Sequence, residues 1–123
     1  MLRVVHFEIP AKDIPRAVAF YRTVFGWEIN KWNGPMEYWL ATTGKKGDEG
    51  IDGAFMDRSI TKTTVNTIDV PSLDEYVAKI TGAGGRQCTP KAEIPGVGFF
   101  CYCEDTEGNL FGIMEALPGT AQR

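Results

Sequence analysis

The stretch Asp13-Ile14-Pro15-Arg16-Ala17-Val18-Ala19-Phe20-Tyr21-Arg22-Thr23-Val24-Phe25 decides the fold, because the chain writes its pattern a second time. Ile14, Ala17, Val18, Tyr21, Val24 and Phe25 follow the i, i+3, i+4, i+7 spacing that lays one stripe of a helix against a core. Asp13 suits the N-cap and Pro15 the first turn. The second stripe is Leu73, Tyr76, Val77, Ile80 and Ala83, opened by the capping-box sequence Ser72-Leu73-Asp74-Glu75 and closed by Gly84-Gly85. Residues 14, 17, 18 and 21 recur at 73, 76, 77 and 80, a constant offset of 59. Self-similarity at a fixed offset sets the architecture before any local assignment is made.

Working outward, a β-type segment precedes each helix, at 2–9 and 63–70. Three more follow each: 27–32, 36–42 and 51–56 in the first half, 86–93, 98–104 and 110–116 in the second. Asn33-Gly34-Pro35 and Gly44-Lys45-Lys46-Gly47 break the chain between strands, and Asp105-Thr106-Glu107-Gly108-Asn109 is the turn before the last one. The expectation is an α+β fold of two tandem βαβββ units, internal repeat 3–57 and 63–116, inside a single domain 1–123. The strands form a curved mixed β-sheet cup, with a helix on the outer face of each unit.

The 123 residues are 43% hydrophobic and 24% charged, which fits one folded globular domain and not a disordered chain. Thirteen Lys and Arg against sixteen Asp and Glu leave a net charge of −3, so no electrostatic pull toward nucleic acid or anionic lipid is expected. The longest uncharged run, 94–103, is about half of what a membrane-spanning helix needs, and Arg3 and Glu8 leave no room for the apolar centre of a secretion signal. A cytoplasmic protein is expected. Cys88, Cys101 and Cys103 are an odd, sparse set without CxxC spacing, which reads as reduced thiols. A nucleophile elbow, a phosphate-binding loop and a GxGxxG after a strand are all missing.

Three stretches resemble the vicinal oxygen chelate superfamily, the glyoxalase, bleomycin resistance and extradiol dioxygenase proteins. They are His6-Phe7-Glu8-Ile9-Pro10 leading through Asp13 to Ala19-Phe20-Tyr21-Arg22-Thr23-Val24-Phe25-Gly26-Trp27, then Gly84-Gly85, then Asp105-Thr106-Glu107-Gly108-Asn109-Leu110-Phe111-Gly112. The resemblance runs from Arg3 to Ala116. It implies the fold expected above, a homodimer, and, in members that do chemistry, one divalent metal. That metal is held by a His or carboxylate from the first and last strand of each unit. The first-strand position here is His6, and the repeat offset carries it to Val65. The last-strand position is Gly112, and the same offset carries it back to Gly53. One donor of four is present, whereas a transition metal needs at least three in fixed geometry. No metal or other cofactor is therefore expected. Cys101 and Cys103 share a strand face and read as small apolar packing, with soft metal ligation the alternative.

Alternation places Val4, His6 and Glu8 toward the cup and Val5, Phe7 and Ile9 toward the helix. His6 and Glu8 are the candidate catalytic pair, the carboxylate raising the basicity of the imidazole; a structural hydrogen bond is the alternative. Val65 and Thr67 take the matching places in the second unit. Among Trp27, Trp32, Tyr38, Trp39, Phe99, Phe100 and Tyr102, the expected lining pair is Trp39 with Tyr102. Gly53 and Gly112 are expected to widen the cup. The leading reading is a metal-independent glyoxalase/bleomycin-resistance-like protein that binds a small organic ligand in an aromatic cup. The alternative is an enzyme: a metal-dependent lactoylglutathione lyase-like or dioxygenase-like protein, or a metal-free acid-base isomerase using His6 and Glu8.

Overall fold

In the computed structural model, which describes residues 1–118, the chain separates into two compact units, 6–64 and 65 onward together with residues 1–5. The last five residues of the expected 1–123 domain lie outside the described residues. The first unit holds β1 (Val4–Pro10) from His6 on, α1 (Ile14–Phe25), β2 (Glu28–Lys31), β3 (Tyr38–Thr42) and β4 (Gly53–Met56). The second runs β5 (Val65–Asp69), α2 (Leu73–Gly82), β6 (Arg86–Gln87), β7 (Ala92–Ile94), β8 (Gly98–Glu104) and β9 (Leu110–Ala116). This is the α+β fold of two βαβββ units.

Helix α1 starts where Asp13 accepts the N–H of Arg16 at 3.1 Å, and it stops at Gly26, whose left-handed φ of +71° lets its N–H return to the Arg22 carbonyl. Ile14 and Val18 bury against Ile29, Ala41 and Phe55 of the sheet. Tyr21 stacks on Trp27 with ring centroids 5.0 Å apart. The expected stripe narrows at its end: Val24 and Phe25 are 53% and 58% exposed. Trp27 takes their place against Tyr21, and Phe25 touches only the edge of this cluster, its ring 5.8 Å from that of Trp27.

The sheet of the first unit has the order β2-β3-β4-β1, antiparallel except for the parallel pair β1 and β4. In the second unit β5 runs parallel to β9, β9 antiparallel to β8, and both β6 and β7 pair with β8. Residues 1–3 run beside β5, where the Leu2 N–H donates to the Asp69 carbonyl and the Arg3 N–H to its carboxylate at 2.9 Å. Helix α2 is capped twice, by Ser72 accepting from the Glu75 N–H and by Glu115 accepting from the Leu73 N–H at 2.8 Å.

The segment 86–93, expected as one strand, is two. Pro90 has no N–H to give the ladder, and the N–H groups of Cys88 and Thr89 both turn to the single carbonyl of Tyr102, so the strand bulges there. The Thr89 hydroxyl accepts the Tyr102 N–H in return.

Phe55 is fully buried between Tyr21 and the sheet. Truncation by Phe55→Ala is expected to cost about 3 to 5 kcal/mol in urea denaturation, against about 1 kcal/mol for Asp13→Ala, which removes only a cap.

Candidate functional site

Alternation along β1 sorts its side chains cleanly. Ile9 packs with the α1 core, and Phe7 lies against Trp27 with centroids 5.8 Å apart. His6, Glu8 and Pro10 therefore share the face turned away from the helix. Glu8 is only 5% exposed, so its carboxylate demands a partner. Tyr38 supplies one: its hydroxyl donates to Glu8 Oε2 at 2.6 Å and lies 2.8 Å from His6 Nε2. His6 and Glu8 are thus joined through a phenol. The His6 and Tyr38 rings lie within 19° of parallel, and Trp32 packs edge-on against Tyr38 at 6.1 Å.

The strand registers explain how Tyr38 reaches across. It sits on β3, two strands from β1, and pairs with Met56, while Glu8 and Leu40 both pair with Ala54. Ala54, fully buried, is the residue of β4 beside Glu8 on this face, and its single methyl leaves the path open.

Two of the expected lining residues are placed elsewhere. Trp39 packs against the α1 core, opposite in sense to its neighbour Tyr38. Gly53 pairs with Phe7, and a Cβ there would fall 2.4 Å from the Phe7 ring and 2.5 Å from its carbonyl oxygen. Gly53 therefore lies on the helix side and makes room for Phe7, not for a ligand. The cause is a one-residue difference between the halves. Thr67 pairs with Gly112, and Glu8, its counterpart 59 positions earlier, pairs with Ala54; the counterpart of Gly112 is Ala54. In a strand, a slip of one exchanges the faces.

In the second unit Thr67, Gly112 and Tyr102 are neighbours, Gly112 pairing with both. Val65, fully buried, shares the Thr67 face of β5. The expected widening at Gly112 is absent, because a Cβ there would meet the Phe100 ring at 2.7 Å: the ring occupies the space. Phe100 meets Tyr102 edge to face at 4.7 Å. Thr67 Oγ1 is buried without a hydrogen-bond partner. Cys101 and Cys103 face the other way, packing with Val70, Leu73 and Ile113 at the α2 core, Sγ to Sγ 3.8 Å. Burial pushes the Cys103 thiol up to about 12 and that of Cys101 upward as well.

The donor set does not fit a divalent metal. Of the positions the superfamily uses, His6 alone carries a donor; Val65, Gly112 and, by register, Ala54 carry none. Among the described residues no three His, Cys, Asp or Glu side chains are grouped to hold an ion. A surface cleft of about 540 Å³ opens at the start of α1, between Lys12, Asp13, Arg16, Glu37 and Asp57, and takes no lining from His6, Glu8 or Tyr38. Among the described residues no helix is long and apolar enough to cross a membrane.

The family model described as bleomycin resistance protein-like N-terminal matches residues 3–44. A glyoxylase-like domain-containing protein of Didymella fabae is 33% identical, over 86% of this chain and 88% of its own length. The chain belongs to the glyoxalase-like family. Solved structures similar to it include a methylmalonyl-CoA epimerase of Streptomyces coelicolor in complex with 2-nitronate-propionyl-CoA, at a TM-score of 0.72 and 15% identity, covering 100% of this chain and 99% of that one. A glyoxalase/bleomycin resistance protein/dioxygenase superfamily member of Vibrio splendidus has a TM-score of 0.68 and 18% identity, covering 95% and 100%. At these identities the likeness is one of fold alone.

Three outcomes are expected. Thr67→Val, which removes a partnerless buried hydroxyl while keeping shape, raises stability by about 1 kcal/mol in thermal denaturation. Gly53→Ala destabilises far more than Gly112→Ala, because its Cβ strikes backbone oxygen whereas the other strikes the movable end of a Phe ring and a Thr hydroxyl. For the thiols, the unfolded chain loses protons near the ordinary thiol value of about 8.5 while the folded chain keeps them, so stability falls as pH rises from there toward 12. Urea midpoints across that window fall less steeply in a Cys101→Ala, Cys103→Ala double variant.

Proposed function

We propose that this glyoxalase-like chain binds a small planar or cationic organic molecule at the sheet face carrying His6, Tyr38 and Glu8, without a divalent metal. The observation that carries the reading is the hydrogen-bonded chain His6–Tyr38–Glu8 with Trp32 against the phenol. Aromatic rings beside a carboxylate suit a flat or cationic ligand, as does the net charge of −3. The homodimer implied by the resemblance belongs to the same reading, with the exposed Phe20, Val24 and Phe25 of α1 as its apolar surface; the compartment is the cytoplasm.

A second reading, catalysis, is favoured by one feature. Tyr38 couples an imidazole to a carboxylate, the arrangement needed to take a proton from a carbon beside a carbonyl and return it. Structural neighbours include epimerases of a CoA ester, so isomerisation next to a carbonyl is the reaction class to assay.

Metal content by mass spectrometry, before and after incubation with Ni²⁺, Zn²⁺ and Fe²⁺, tests the metal-free part. Sub-stoichiometric metal and an unmoved melting temperature are expected; stoichiometric metal with a raised melting temperature overturns it. Aromatic and cationic compounds are then screened by melting temperature, where a ligand at a hundred times its Kd adds about 2.7 kcal/mol. Tyr38→Phe is expected to weaken a hit roughly tenfold. A His6→Gln variant with full affinity and full turnover removes the catalytic reading.

A further inference from the structure

Beside the cleft at the start of α1 lies a second one of about 450 Å³, and the two differ in charge. They share Lys12, Asp13 and Arg16; the first adds Glu37 and Asp57, whereas the second adds Arg58 and the rings of Phe20 and Tyr21. Among the described residues, none of the Lys12, Arg16 and Arg58 side chains is in an ion pair. The one carboxylate lining the second cleft, that of Asp13, is committed to the Arg16 N–H as the cap of α1. The lining therefore carries three positive charges against one negative, at the helix end whose own dipole is positive. Its wall is aromatic: Phe20 and Tyr21 meet edge to face with centroids 5.2 Å apart, and Phe20 is 56% exposed.

We propose that this second cleft binds a small phosphate monoester with an aromatic body, its head on the Lys12, Arg16 and Arg58 cations and its ring against Phe20. A phosphate monoester carries close to two negative charges at neutral pH, which matches the local excess, and its oxygens only accept, as two guanidinium forks and an ammonium require. The volume is that of a small-molecule pocket. Glu37 and Asp57, in the adjoining cleft, repel the head and keep it on the Arg58 side. The net charge of −3 opposes binding only weakly, since exposed charges more than about 10 Å away are screened at 0.1 M salt. The cleft takes no lining from His6, Glu8 or Tyr38, so the inference is independent of the reading of that face.

Titration of the whole chain with phenyl phosphate, followed through the backbone amide NMR signals of Lys12, Arg16, Ala17 and Arg58, tests it. Saturable shifts at these four are expected. Benzoate, with one charge fewer, and inorganic phosphate, without the ring, are each expected to bind at least roughly fivefold more weakly. Arg16→Gln combined with Arg58→Gln, both at exposed positions, is expected to weaken phenyl phosphate roughly tenfold while leaving the melting temperature unmoved. Phe20→Ala is expected to weaken phenyl phosphate and to leave inorganic phosphate as it was. Phenyl phosphate that shifts none of these signals, binds no better than inorganic phosphate, or is held equally well by the double variant overturns the proposal. Should the double variant lose its fold, Lys12→Gln carries the test, with a loss of about threefold expected and an unchanged affinity counting against the site.

Discussion

Strand β1 commits each of its side chains to one of two faces, and the rest of the first unit follows from that commitment. Phe7 and Ile9 go to the helix, so the α1 core closes over them. A bulky ring at Phe7 then requires that β4 present no side chain beside it, and Gly53 presents none. On the other face Glu8 is buried and must be satisfied. Its partner arrives from β3, two strands away, which is possible only because the residue between is Ala54. A slip of one residue in the β1–β4 register would exchange the two sets, burying His6 in the helix core and exposing Phe7. The apolar core and the polar chain are two consequences of one register.

What the sequence made legible was whatever is periodic. The two helices, their caps and the last two strands stand where the pattern put them, since apolar spacing and turn residues are local signals. Register is not local. The 59-residue offset holds from the first strand through the helix, but one residue more separates Glu8 from Ala54 than separates Thr67 from Gly112, so the offset carries Gly112 to Gly53, one residue and one face away from Ala54. Tyr38 and Trp39 are adjacent aromatics on one strand, and only pairing with Met56 and Phe55 tells which points to the helix. The pair His6 and Glu8 was visible as two polar residues two apart; the phenol that joins them was not, because it comes from 30 residues away.

The absent metal donors and the hydrogen-bonded chain are linked. A buried carboxylate is costly unless something cationic or hydrogen-donating faces it. Of the positions the superfamily uses for donors, Val65, Ala54 and Gly112 carry none. Tyr38 gives the Glu8 carboxylate a neutral hydrogen-bond donor.

Comparison of the two units shows that this chain is a specialisation of a shared arrangement. Tyr38 pairs with Met56, and Phe100 pairs with Met114; Glu8 pairs with Ala54, and Thr67 with Gly112. Phe100 is therefore the repeat counterpart of Tyr38, and its ring lies over Gly112 beside the Thr67 hydroxyl, on the diagonal that Tyr38 follows past Ala54 to Glu8. Both units send an aromatic side chain from the same strand position over a small residue toward a polar one. In the first unit the ring ends in a hydroxyl and the polar residue is satisfied. In the second the ring ends in carbon, and Thr67 Oγ1 is left without a partner. One oxygen atom on the ring thus separates a hydrogen-bonded arrangement from a purely packed one.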